Sequence, residues 1–534
     1  MGPNSGKFAT VRSHLPLSGR PSSRFGVDLV AGPTTDGPVA RRLVGSGAMR
    51  GGRTLDAVAV TVLLLALVLA GCSGGSSDGG NGPGGSSTGP TGARTPTSST
   101  SPAMSTTPAA LGGLDQLEGT YSCRGGFTCG TVNVPLDRAD PAGGTTSLQV
   151  AVETAEDAPR GVLLALNGGP GAAGAPLAAA LAERLGPDVM AAYRLVAVDQ
   201  RGTGPSALDC PALQTSWGQS FVPAAAAVRS CASTLGAARA LYGTDDTVAD
   251  LEDLRVALEA DRWTVFAVSY GTYVAQQYAA AHRDRVAALV LDSPVPAAGA
   301  DTLGLDALQA TPRVLRSACA AQDCPGDPVA DLAAVVRRDG DGPDLLGLVG
   351  GMSAVRPAFD TLLPALRRAR SGDRTDLDRL LQAYRTGFAT SASVFSAGLH
   401  SAAYCADQTF PWGRSSAPVG RRAPAVRREV ARLDSSATYP FDARTVSGGS
   451  GVVECRAWPP VEPSAVARGR VRLPRVPVLL LVGEHDVTTP LESARGSAAD
   501  RLPGARLVVV RGGGHVVTAS PGRGRTAARD FLLR

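Results

Sequence analysis

The chain has 534 residues, 43% hydrophobic and 19% charged, with 65 glycines and 39 prolines, which suits a packed body carrying a low-complexity arm and excludes wholesale disorder. Its net charge of +5 sits in residues 1–71, where eight basic side chains (Lys7, Arg12, Arg20, Arg24, Arg41, Arg42, Arg50, Arg53) face three acidic ones (Asp28, Asp36, Asp56). The remainder nets zero, whereas a nucleic-acid binder needs a basic excess in its folded part.

The first recognisable element is the apolar run Ala57–Ala70, preceded by Arg50 and Arg53. It is short for a membrane span and suits the core of a secretory signal. The run ends Leu69-Ala70-Gly71-Cys72, which resembles the lipobox of bacterial lipoproteins, so Cys72 is expected to carry lipid at the new N-terminus. Residues 49–71 then form the signal peptide, Met49 the true start, and residues 1–48 a mis-called extension. Residues 72–112, almost wholly Gly, Ser, Thr, Pro and Ala, read as a flexible tether. The expected location is the outer face of the cell membrane, with the body held there by lipid.

Eight further cysteines follow: Cys123, Cys129, Cys210, Cys231, Cys319, Cys324, Cys405 and Cys455. An even number in an exported body argues for disulfides, whose connectivity is not deducible from sequence. Pairing sequence neighbours gives Cys123–Cys129, Cys210–Cys231, Cys319–Cys324 and Cys405–Cys455. No CxxC spacing occurs, and neither a metal nor a cofactor is expected.

From residue 113 onward, apolar β-branched runs alternate with helical patterns, as in a mainly parallel sheet with crossover helices. The expected strands are Gly161–Leu166, Leu195–Val198, Trp263–Val268, Ala287–Leu291, Val476–Val482 and Leu507–Val510. Val248, Leu251, Leu254 and Leu258 mark a helix before the third strand, with Thr247 and Asp250 as its expected capping box. Residues 296–470, rich in Ala, Leu and Arg, read as a helical cap between two core segments, 113–295 and 471–534.

The third strand runs into Ser269-Tyr270-Gly271 and then a helical pattern, a turn that lifts a serine hydroxyl above the sheet. Ala267 stands where such a turn usually has glycine. Asn167-Gly168-Gly169-Pro170-Gly171 follows the first strand, where backbone donors for a developing oxyanion are expected. Pro170 has no N–H, so the donors are assigned to the amides of Gly169 and Tyr270, with Gly171 the substitute for Gly169. Of five histidines, His14 precedes the signal, His282 lies in the helix after Ser269 and His400 in the cap. His515, after a late strand and a glycine loop, is the expected base. Its acid partner is expected to be Asp486, with Glu484 the competitor.

The segments GGPG, Asp199-Gln200-Arg201-Gly202-Thr203-Gly204, SYGT, Leu291-Asp292-Ser293-Pro294, GEHDVTTP and GGGH, taken in order, resemble the α/β-hydrolase family of proline iminopeptidases and, more closely, the secreted tripeptidyl aminopeptidases of actinobacteria. The likeness runs from about Cys129 to His515, including Cys405-Ala406-Asp407 and Cys455-Arg-Ala-Trp-Pro459. Asn167, where iminopeptidases carry His, departs from it. The resemblance implies an α/β-hydrolase fold with an inserted helical cap and a Ser269-Asp486-His515 triad. It also implies acidic cap groups that hold a substrate's ammonium terminus, for which Asp407 is the candidate.

The leading functional reading is a serine exopeptidase acting on peptide substrates and working as a monomer. A carboxylesterase or lipid-ester hydrolase uses the same triad, and a catalytically silent peptide-binding lipoprotein is the reading from outside enzymology.

Overall fold

The computed structural model describes residues 113–154, 158–387, 389–462, 471–502 and 504–534. The signal, Cys72, the tether and the alternative start at Met49 lie outside them. Among the described residues no helix is long and apolar enough to cross a membrane.

Nine strands form one sheet, in the order β1-β2-β3-β5-β4-β6-β7-β8-β9. They are β1 (Glu118–Cys123), β2 (Phe127–Pro135), β3 (Thr145–Glu153), β4 (Val162–Leu166), β5 (Arg194–Val198), β6 (Trp263–Val268), β7 (Val286–Asp292), β8 (Val478–Gly483) and β9 (Arg506–Val510). Strands β5, β4, β6, β7, β8 and β9 are parallel to one another. These are the six expected strands, Trp263–Val268 with the expected bounds and the others differing by one or two residues at an end. Every residue of β4, β5, β6 and β8 is buried, because a parallel sheet is covered by helices on both faces and its strands read as unbroken apolar runs. Strands β1 to β3 pair antiparallel and were not anticipated. Nearly all of β1 is exposed, so it carries little of the apolar signal that marks the others.

Helices of eight or more residues are α1 (Leu177–Leu185), α2 (Pro211–Gln219), α3 (Ala225–Leu235), α4 (Thr244–Ala257), α5 (Tyr270–Ala281), α6 (Leu305–Ala320), α7 (Pro328–Asp339), α8 (Gly342–Met352), α9 (Phe359–Arg370), α10 (Thr375–Gly387), α11 (Ala397–Asp407), α12 (Val419–Val430), α13 (Ser450–Ala457), α14 (Leu491–Arg501) and α15 (Arg523–Leu532). One sheet face packs on α4 and α5, through Leu254, Trp263, Tyr273 and Tyr278. The other packs on α1 and α15, through Leu181, Phe266, Ala528 and Leu532. The cap helices α6 to α13 all lie between β7 and β8 in the chain, and all but α11 contribute to a core of their own. The helical layer also takes in α2 and α3, whose Leu213, Val228 and Cys231 cluster with Leu399, Cys405 and Trp458.

The start of α4 differs from expectation. The helix begins at Thr244, and Asp246 accepts from the Gly243 amide at 3.1 Å, the carboxylate half of a capping box. Thr247 and Asp250 lie inside the helix. Asp250 is buried because Arg201, itself wholly inaccessible, grips it through Nε and Nη2 while donating to the carbonyls of Pro135, Leu136 and Leu241. Arg138 reaches the same carboxylate at 2.6 Å. This knot ties β5's end to β2's end and to α4.

The eight cysteines pair as Cys123–Cys129, Cys210–Cys231, Cys319–Cys324 and Cys405–Cys455, with Cα separations of 5.7, 5.1, 5.0 and 5.1 Å. These are the neighbour pairs.

A buried ion pair that loses one member leaves the other unsolvated, at a cost of about 3–5 kcal/mol. Arg201→Met should therefore lower the thermal midpoint by several degrees in a calorimetric or fluorescence melt. A midpoint within one degree of wild type would show that the knot is dispensable.

Candidate active site

Ser269 is the residue between β6 and α5, at φ 54° and ψ −127°. A non-glycine residue with positive φ is strained, and here the strain turns the hydroxyl up from the sheet's carboxyl edge. The turn needs room that only glycine leaves. A Cβ on Gly271 would lie 2.4 Å from the Asn167 carbonyl oxygen, and one on Gly168 would lie 2.8 Å from the Ser269 Cβ. Ala267 is fully buried in β6.

Three of the expected residues meet here. Ser269 Oγ lies 2.9 Å from His515 Nε2, and His515 Nδ1 lies 2.9 Å from Asp486 Oδ2. Asp486 is wholly buried and is satisfied by neutral donors: the amides of Thr488 and Thr489 on Oδ1 and the Thr489 hydroxyl on Oδ2. Thr489 Oγ1 also sits 3.2 Å from His515 Nδ1, a contact that sequence reading missed although Thr489 stands three residues after Asp486. Glu484 instead accepts from the Gly512 amide at 2.9 Å and bonds to no part of the imidazole.

Burial disfavours the charged form of His515, but the charge and hydrogen bond of Asp486, with a further contribution from Asp292, outweigh it and raise the imidazole above its ordinary value. The arrangement stabilises an imidazolium next to a serine oxygen. That is what proton removal from the hydroxyl requires.

The loop after β4 passes beside the serine. Asn167 braces it, donating through Nδ2 to the Ala173 carbonyl and accepting from the Gly168 amide. The amides of Gly169 and Tyr270 donate to no backbone or side-chain acceptor among the described residues.

Asp407 lies in the cap, as expected. It is buried at the end of α11, with its oxygens occupied by the Thr244 amide and hydroxyl and by the Tyr270 hydroxyl. Burial pushes its carboxyl up to about 6 against those bonds. Asp407 thus joins the cap to the residue after Ser269, with one donor on Oδ1 and two on Oδ2.

A cavity of about 460 Å³ opens beside His515, lined among others by Trp217, Phe221, Leu346, Gly350, Val487 and the cap residues His400 and Tyr404. Behind His400 stands Glu454, completely buried. Glu454 Oε1 faces His400 Nδ1 at 3.0 Å and accepts from Ser401 Oγ, while Oε2 has no partner. Neither residue was singled out as a site residue in the sequence, because a carboxylate in Val-Glu-Cys-Arg on a cap helix carries no local motif. Among the described residues no group of three or more His, Cys, Asp or Glu could hold a metal.

Two family models match the chain. One, described as alpha/beta hydrolase fold, covers residues 161–322; the other, described as TAP-like protein, covers residues 441–534. The serine protease Hip1 of Mycobacterium tuberculosis is 30% identical over 189 residues, 32% of this chain and 36% of that protein. A proline iminopeptidase of Neisseria gonorrhoeae is 33% identical over 135 residues, covering 25% and 33%. The tripeptidyl aminopeptidase of Streptomyces lividans is 28% identical over 190 residues, covering 31% and 35%. The matched stretch spans about a third of each relative. The fold is that of an α/β-hydrolase, and the relatives include both kinds that the motifs had suggested, proline iminopeptidase and tripeptidyl aminopeptidase.

Because a base must be neutral to accept a proton, and the raised value keeps His515 protonated to higher pH, labelling of Ser269 by a fluorophosphonate should fall on acidification with a midpoint above about 6.5. Asp486→Asn should slow labelling by orders of magnitude, and Glu484→Gln should leave it unchanged. The opposite ranking of the two variants would identify Glu484 as the acid.

Proposed function

We propose, for this chain of the α/β-hydrolase fold with serine peptidases among its relatives, that it is a serine exopeptidase releasing short units from free peptide N-termini. The observation that carries this reading is the continuous hydrogen-bonded series Ser269–His515–Asp486 beside a cap-walled cavity. In it, Ser269 Oγ attacks the scissile carbonyl while His515 Nε2 takes its proton and Asp486 stabilises the imidazolium. The Gly169 and Tyr270 amides receive the oxyanion. His515 then protonates the leaving amine, and water, activated by the same imidazole, hydrolyses the acyl-enzyme.

Both oxygens of Asp407 already bond to Thr244 and Tyr270, whereas Glu454 Oε2 has no partner, so we give that role to the Glu454–His400 pair. Glu454 keeps one unpartnered oxygen behind His400 at the cavity wall, and no Arg or Lys pairs with it among the described residues. A substrate ammonium supplies the missing positive charge, through the His400 ring. Such a wall favours a peptide with a free N-terminus over a neutral ester.

The paired cysteines support an exported body. The anchor at Cys72 is proposed on the sequence alone: two acyl chains give stable membrane attachment where one would not.

Glu454→Gln should raise KM for a tripeptidyl anilide with a free amine about tenfold or more, equivalent to about 1.4 kcal/mol, with little change in kcat. The Nα-acetylated anilide should be a poor substrate for both proteins. Faster turnover of short acyl esters than of any anilide would replace the peptidase reading with the esterase one. Separately, Cys72→Ala should abolish incorporation of labelled fatty acid in a growing culture. Retained label in that variant would place the lipid elsewhere, and absence of label from the wild-type protein would dismiss it.

A further inference from the structure

The residue after His515 is in a conformation it resists. Val516 has φ 62° and ψ 71°, the left-handed region, where a β-branched side chain is a true outlier. Strain of this kind persists only when the surroundings hold it in place. Here the hold is visible, and it comes from the end of β7.

Ser293 Oγ accepts from the Val516 amide at 2.8 Å, Asp292 Oδ1 from Val517 at 3.0 Å, and Asp292 Oδ2 from the amide and hydroxyl of Thr518 at 2.9 and 2.6 Å. Three successive amides are thus bound by two adjacent side chains. Both are completely inaccessible to solvent, and Ser293 is itself at φ 57°. Asp292 forms no ion pair among the described residues, so neutral donors of the His515 loop satisfy its carboxylate. Its backbone carbonyl also accepts from the Ser269 amide at 2.9 Å. One strand end therefore touches both the nucleophile's turn and the loop of the base.

We propose that Asp292 and Ser293 are positioning residues: a latch that keeps Val516 in its strained conformation and thereby holds the His515 imidazole against Ser269. The proposal rests on His515 being the base. Asp292 also contributes to raising the His515 imidazole above its ordinary value, so it favours the protonated form that appears when the serine proton is transferred. On the opposite side the His515 amide donates to the Ser353 carbonyl at 3.0 Å. That bond alone leaves the residues after His515 free to rotate.

A fluorophosphonate probe tests this without knowledge of the natural substrate. Ser293→Ala should lower the maximal inactivation rate tenfold or more, while the half-saturating probe concentration stays within about twofold and the melt within a few degrees. In a Val516→Gly background, where glycine takes the left-handed conformation freely, Ser293→Ala should cost less than threefold. That non-additivity is the signature of a latch acting through strain. Asp292→Asn should also move the acid limb of the labelling profile to lower pH, since it removes a charge that favours the imidazolium. An equal loss from Ser293→Ala in both backgrounds, or no loss in wild type, overturns the latch. His515→Ala separates the two claims: if it labels normally, the base assignment itself falls, whereas if it is silent and Ser293→Ala is normal, only the latch falls.

Discussion

A carboxylate buried without an Arg or Lys partner among the described residues is the constraint from which the site follows. Asp486 is inaccessible, and its acceptor positions are filled by two amides, one hydroxyl and one imidazole. A buried charge is tolerable only when its lone pairs are met in this way. The turn after β8 supplies the two amides and the threonine hydroxyl, so the imidazole is left as the partner that can share a proton. Asp292 repeats the solution one strand away, with donors from the His515 loop. Both depend on the carboxyl ends of neighbouring parallel strands, where loops from remote parts of the chain converge.

The cap joins this edge through polar contacts, each aimed at a functional loop. Asp407 on α11 receives the Tyr270 hydroxyl; the Ser353 carbonyl after α8 receives the His515 amide; Arg313 on α6 donates to the Glu484 carbonyl and to Glu492. The same helix α11 carries His400 and Ser401 to Glu454. A displacement of α11 would disturb the cavity wall and the nucleophile's turn together.

Much of this was legible in the residues. Leu163, Leu195 and Val265 sit in runs so apolar that a doubly covered strand is the natural reading, and Ser269, Asp486 and His515 follow such runs in an order that the fold uses. What stayed hidden was non-local. β1, with Glu118, Gly119, Thr120 and Ser122, lacks an apolar face, and its pairing is set by β2 across the sheet. Asp250 resembled a capping residue because Thr247 precedes it by three, yet its role comes from Arg201, 49 positions away in sequence. Asp407 and Glu454 are both acidic cap residues, each two or one positions from a cysteine. Nothing short of their partners distinguishes one that is saturated by Thr244 and Tyr270 from one that keeps a bare oxygen.

The disulfides have a consequence for how the chain is made. Each cysteine is bonded to the next cysteine in line, with separations of 6, 21, 5 and 50 residues, and no bridge encloses or crosses another. Eight thiols allow 105 complete pairings, but a chain that emerges N-terminus first presents them in an order in which oxidation of each new pair yields the native set. An oxidant acting during synthesis would then need no isomerase to correct its work, and the seam between cap and sheet, which no bridge spans, would be left to close by packing and hydrogen bonds after the covalent chemistry is finished.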